Sequence, residues 1–144
     1  MNLPGPGCWV GGQEVAVFWT GPNQWMFEAP GSADEDFAAN LKEAACGCSV
    51  TEQTGGWVAF EIVSVAGTKP IEALLAKLIN IDLADFGPGR ATRTVLENMT
   101  CVVIRRSATH VAVLGARSFA ASLWYVLETA AKRIEEKEGF CCNG

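Results

Sequence analysis

The chain has 144 residues and a mass of 15.3 kDa, the size of one domain, and with 49% hydrophobic and 19% charged residues it is neither disordered nor fibrous. No run reaches the ~18 uncharged apolar residues that a bilayer span needs, because Glu61, Lys77 and Arg117 break the longest candidates. A net charge of −5 argues against nucleic acid as the main partner, and residues 1–7 have no basic head or apolar core, so a cytoplasmic protein without a secretory signal or membrane partner is expected.

Along the chain, Val15 to Thr20 is a β-rich apolar run, Gly21-Pro22-Asn23 is a turn, and Trp25-Met26-Phe27 returns as the second arm of a hairpin. Ser32-Ala33-Asp34-Glu35 has the form of a capping box and predicts a helix with Ser32 at its cap, an apolar stripe of Phe37, Leu41 and Ala44 or Ala45, and a stop at Gly47. Ser49 to Gln53 and Trp57 to Val65 read as two strands around Gly55-Gly56. In the second of these, Val58, Phe60 and Ile62 share one face, while Glu61 marks the other as wetter.

Thr68-Lys69-Pro70 opens a second helix, with Thr68 able to cap it and Ile71, Leu74, Leu75, Leu78 and Ile79 on one side. Residues 80–90 read as a loop. Three strands follow, at Ala91 to Leu96, Thr100 to Ile104 and His110 to Leu114. A long helix from Ser118 to about Glu138 closes the chain on a stripe of Phe119, Leu123, Val126, Leu127, Ala130 and Ile134. The order ββαββαβββα on one short chain indicates an α+β fold, a largely antiparallel sheet with helices packed on one face.

Chemistry-bearing patterns are sparse. The single histidine, His110, stands in an apolar run, where a strand residue with a satisfied hydrogen bond is the expected reading. No nucleophile elbow, phosphate loop or dinucleotide fingerprint is present. Gly87-Pro88-Gly89-Arg90 could cradle an anion, but with no helix start behind it a turn is favoured. Six cysteines without a secretory signal imply free thiols. Neither Cys46-Gly47-Cys48 nor Cys141-Cys142 has the spacing of a structural zinc site, so no metal is expected. Cys101 reads as a small core residue. No catalytic set emerges.

Charge and aromatic residues point to surfaces. Arg90, Arg93, Arg105, Arg106 and Arg117 face only Glu97 in that stretch, a local +4 on an otherwise acidic body. Either an anionic ligand or acidic partner meets this strip, or the strands merely show their solvent sides. Trp124 lies about 100° from Leu123 around the last helix. It reads either as a part-exposed anchor for another protein or as packing at the core boundary.

Five segments in order carry a resemblance: Trp19-Thr20-Gly21-Pro22-Asn23-Gln24-Trp25 with Ala29-Pro30; Val50-Thr51-Glu52-Gln53-Thr54; Leu75-Ala76-Lys77-Leu78 with Ile81-Asp82-Leu83; Phe86 through Thr94; and Arg117-Ser118-Phe119-Ala120-Ala121-Ser122-Leu123-Trp124. Over nearly its whole length, 1–144 as one domain, the chain resembles the gamma subunit of heterotetrameric sarcosine oxidase. That resemblance implies a fold similar to half of a folate-binding aminomethyltransferase. It implies a holoenzyme that oxidatively demethylates sarcosine to glycine, passes the one-carbon unit to tetrahydrofolate or releases formaldehyde, and forms hydrogen peroxide. It also implies that FAD, FMN, NAD and folate sit in partner subunits, with no cofactor and no catalytic residue in this chain.

Members of that family carry a further strand and helix ahead of the segment matching Leu3-Pro4-Gly5-Pro6-Gly7, which this chain lacks. An unpaired sheet edge and a homodimer of the isolated chain are therefore expected. The favoured expectation is a non-catalytic interaction subunit that contacts alpha, beta and delta subunits through Arg90, Arg93, Arg117 and Trp124. The alternative is a small binding module that holds folate or another carboxylate ligand on Arg90 or Arg93. An independent thiol or metal enzyme conflicts with the cysteine spacing.

Overall fold

Alternating apolar positions build two antiparallel sheets in the computed structural model, which describes residues 3–32, 34–80 and 82–138. Strands β1 (Trp9–Gly11), β2 (Ala16–Gly21) and β3 (Gln24–Glu28) form a small sheet in the order β1-β2-β3. After α1 (Phe37–Ala44) come β4 (Trp57–Val63), α2 (Lys69–Leu78), β5 (Arg90–Leu96), β6 (Met99–Ser107), β7 (His110–Ala116) and α3 (Ala120–Glu138). The second sheet has the order β4-β7-β6-β5, antiparallel throughout.

The two faces of this larger sheet bury different partners. Cys101, Val103, Val111 and Val113 point to α2 and α3, where Ile71, Leu74, Leu75, Leu78, Leu123, Leu127 and Ile134 are buried. Each such aliphatic side chain contributes about 1.5–3 kcal/mol of burial free energy. Gly115 continues that face, and a Cβ there would stand 2.8 Å from Leu123 Cδ2, so its missing side chain lets α3 approach β7. Ala91, Val102, Ile104, Ala112 and Leu114 point the other way and pack on Phe18, Trp9 and Met26 of the small sheet. The result is three layers: α2 with α3, four strands, three strands.

The α+β class, the antiparallel pairing and the packing of α2 and α3 on one face agree with the sequence, while the strands form two sheets instead of one, α1 buries no residue, and the element order differs at two strands. Ser49 to Gln53 forms no strand. Glu52 instead accepts from the backbone and hydroxyl of Thr54, and Thr54–Gly56 closes a 3-10 turn, whose Thr54 and Gly55 carbonyls bond Arg117. Those local bonds turn the chain immediately after the segment. The short β1, hidden in Gly- and Pro-rich sequence, pairs Trp9 with Phe18. The first helix starts later than the capping box implies: Asp36 is the cap, accepting from Ala39 N–H at 3.1 Å. Thr68 stands at the cap of α2 but makes no side-chain bond there.

Strand β6 runs on to Ser107 instead of stopping at Ile104 because both arginines that follow find acceptors. At the last helix, Arg117–Phe119 is a 3-10 turn, and Phe119 remains exposed rather than joining the stripe. No helix among the described residues is long and apolar enough to cross a membrane.

Candidate interaction site

The second face of β4, β7 and β6 brings together charges from four strands. Strand alternation sets Arg106, like Val102 and Ile104, on the small-sheet side, next to a register shift between Arg105 and Ser107. Its guanidinium donates to Glu28 of β3 with both Nη atoms, at 3.0 and 2.8 Å. It donates to Glu61 of β4 from Nε at 3.1 Å and Nη2 at 2.9 Å. His110 of β7 lies 2.6 Å from Glu61 Oε2 through its Nε2. Trp9 of β1 donates its indole N–H to Glu28 and lies under Arg106, 5.4 Å from ring centroid to guanidinium carbon. One arginine thus ties the small sheet to the large one.

Electrostatics follow from that geometry. Partial burial would raise the Glu61 carboxyl, but the hydrogen bonds and charges of Arg106 and His110 outweigh it and hold Glu61 below its ordinary value of 4.5. Burial would lower the Arg106 value, yet Glu28 and Glu61 keep it above the ordinary arginine range. A carboxyl depressed by folding adds stability above its unfolded value, and that stability is lost as pH falls through the folded value. Urea unfolding midpoints are therefore expected to fall as pH drops below 4.5, and Glu61→Gln is expected to flatten part of that fall. Equal slopes in the two proteins would refute the assignment.

Beside this network lies a cleft of about 450 Å³, bounded by Trp9, the 11–16 loop, Glu28, Ala59, Glu61 and Arg106. A smaller pocket of about 130 Å³ sits elsewhere on the same face, lined by Trp19, Thr20, Thr92, Arg93 and Val102 among others.

The five arginines of the basic strip are spread apart. Arg90 and Arg105 are cross-strand neighbours on the helix side, and Arg93 lies opposite Val102 on the other face. Arg90 donates to Cys8 Sγ at 3.3 Å. Arg105 is buried and bonds the Phe86 and Ala108 carbonyls, while its Nε finds no partner among the described residues. Arg117 wraps back to the Gly55, Thr54 and Trp57 carbonyls. Arg93 is exposed. Trp124 is 55% exposed and leans on Phe60 of β4, ring centroids 5.9 Å apart. The Glu28–Arg106–Glu61–His110 cluster was not anticipated as a unit, although the reading of His110 as a satisfied strand residue agrees with its bond to Glu61.

The family model for the sarcosine oxidase gamma subunit family matches residues 1–133. The chain belongs to that family. A chain of the heterotetrameric sarcosine oxidase from Corynebacterium sp. U-96, solved in complex with pyrrole 2-carboxylate, has the same fold, with a TM-score of 0.70 at 22% identity. The match covers 84% of this chain and 61% of that one, so the present gamma-family chain spans less than two-thirds of its solved neighbour. No curated protein sequence matches.

In this family member the cysteines divide by environment. Cys101 is fully buried, and burial pushes its thiol up to about 11. Cys46 and Cys48 are exposed, and Cys8 is half-buried. Among the described residues no group of three or more His, Cys, Asp or Glu side chains could hold a metal ion, and Cys141-Cys142 lies outside them. Maleimide at pH 7 is expected to label Cys46 and Cys48 in the native protein and Cys101 only after denaturation, as read by peptide mass spectrometry. Native labelling of Cys101 would contradict its placement.

Proposed function

We propose that the chain is a non-catalytic structural subunit of a cytoplasmic, multi-subunit sarcosine oxidase, docking onto alpha, beta and delta subunits that hold the flavins, the nicotinamide dinucleotide and folate. The complex would demethylate sarcosine oxidatively to glycine, pass the one-carbon unit to tetrahydrofolate and form hydrogen peroxide. Family membership supports this reading, and one structural observation carries the non-catalytic part. The only histidine is tied to Glu61 within the large sheet, and Arg106 links Glu61 to Glu28 of the small one, so the charged groups nearest a cleft belong to a structural network. Partner contacts fall to exposed Trp124 and Arg93, while Arg90 is engaged by Cys8 Sγ and Arg117 by the Thr54, Gly55 and Trp57 carbonyls.

Co-expression with the larger subunits followed by pull-down on a tagged copy of this chain tests the proposal. Stoichiometric co-purification is expected, and recovery of the tagged chain alone would reject it.

A second reading, a carboxylate-binding module, draws on the pocket where Arg93 stands beside Trp19. Its volume of about 130 Å³ is below the ~300 Å³ at which ligand pockets begin, enough for a carboxylate but not a pterin. A ligand that binds the native state raises the melting midpoint with concentration. No shift with millimolar tetrahydrofolate would leave only the subunit role.

A further inference from the structure

Strand β4 is an edge with one side open. It pairs with β7 over Trp57–Val63, and among the described residues nothing pairs with its outer side. The Ser64 N–H donates inward to the Thr109 carbonyl, so by strand alternation Ile62, Phe60 and Val58 also turn their backbone groups inward. Those of Ala59, Glu61 and Val63 then point outward. The Trp57 carbonyl shares this outward parity and is met by an Arg117 side chain.

Natural edges are blunted by proline, lysine, bulges or charges aimed along the edge. Residues 57–63 contain no proline, no lysine and no bulge. Their one charge, Glu61, is drawn back onto Arg106 and His110. Trp124, leaning on Phe60, overhangs the same edge from α3, with exposed Tyr125 beside it. Val63 is exposed on the opposite face.

We propose that this edge is closed by the β4 strand of a second copy of the chain, paired antiparallel about a two-fold axis through Phe60. That register gives the longest overlap of the strand with its own copy. Centring on Phe60 overlaps all seven residues, setting Ala59 against Glu61 of the second copy and Trp57 against its Val63. Outward-facing backbone groups then meet outward-facing groups. A shift that centres on Glu61 sets two carboxylates face to face, and one that centres on Ala59 overlaps only residues 57–61 and leaves the outward groups of Val63 unpaired. On the helix side, the two Phe60 rings and two Trp124 rings form one aromatic cluster across the axis. An isologous contact of this kind closes on itself and stops at two copies. The proposal does not depend on the subunit role, because it concerns the chain before other subunits are present.

Sedimentation equilibrium of the isolated chain is expected to give twice the 15.3 kDa chain mass. Ala59→Pro removes one outward N–H at a position where an edge strand tolerates proline, and is expected to halve the mass with an unchanged circular dichroism spectrum. Hydrogen exchange on the unmodified protein checks the same point without a substitution. Amides of Ala59, Glu61 and Val63 are expected to be protected at high concentration and to exchange freely on dilution. A clean monomer, or a dimer in which those three amides exchange as fast as in the diluted chain, would overturn the proposal. So would protection that appears only when larger subunits are added, since the occupant would then be a partner strand. Failure of the pull-down would leave this result untouched, so the two proposals fail separately.

Discussion

Arg106→Leu is expected to lower the free energy of unfolding by about 2 kcal/mol, less than the cost of removing one partner from a fully buried ion pair because this pair is part-buried. Arg106 is 13% and Glu28 17% exposed, so the substitution leaves Glu28 part-buried beside the cleft without its charge partner. Its indole donor from Trp9 cannot replace a bidentate guanidinium. Glu61 is 44% exposed and can rehydrate, so Glu61→Gln should cost well under half as much. Glu28→Gln should fall between the two. Urea denaturation with unchanged slope reads these differences, and an Arg106→Leu cost no larger than that of Glu61→Gln would show that the network is ornamental.

Phe18→Ala is expected to cost about 4 kcal/mol, as large aromatic truncations in sealed cores do. Phe18 has no exposed surface and is the small sheet's main contribution to the cluster with Ala91, Val102, Ile104, Ala112 and Leu114. The helix-side cluster is separate, built on α2, α3 and the opposite sheet face. Loss should therefore be uneven. The tryptophans of the small sheet (Trp9, Trp19 and Trp25) should report loosening in fluorescence before helical circular dichroism melts. Simultaneous loss of both signals, with a cost near 1 kcal/mol, would mean that the two layers are not joined through Phe18.

The parts of the fold legible in the sequence are those with a sustained period. α2 and α3 appear where their stripes repeat, since Ile71, Leu74, Leu75 and Leu78, like Leu123, Leu127 and Ile134, all reach the core. Strands β5, β6 and β7 appear because tight turns separate apolar runs, with Glu97 and Asn98 at positive φ in the first of them. Ser49 to Gln53 misleads because β-propensity alone supplies no pairing, and the chain turns instead, with Gly56 N–H donating to the Gln53 carbonyl and Thr54 N–H to the Glu52 carboxylate.

The site was less legible for a geometric reason. Consecutive strand residues point to opposite faces, so a run of arginines in sequence is not a patch in space. Arg105 turns to the Phe86 carbonyl and Arg106 to Glu28 and Glu61. Arg106 and Glu28 are 78 positions apart, and His110 and Glu61 are 49 apart. Only strand register brings them together, and register is fixed by pairing across the sheets, which no local pattern records. Glu61 in mid-strand was the one available signal, since a charge there calls for a partner.

The central claim, that this gamma-family chain lends surface rather than chemistry, is tested most directly by sarcosine-dependent peroxide formation. The purified chain, cleared of flavoproteins, is expected to produce none, while the complex co-expressed with it turns over and loses activity or integrity when the chain is left out. Peroxide or formaldehyde formed from sarcosine by the purified chain alone would contradict the account.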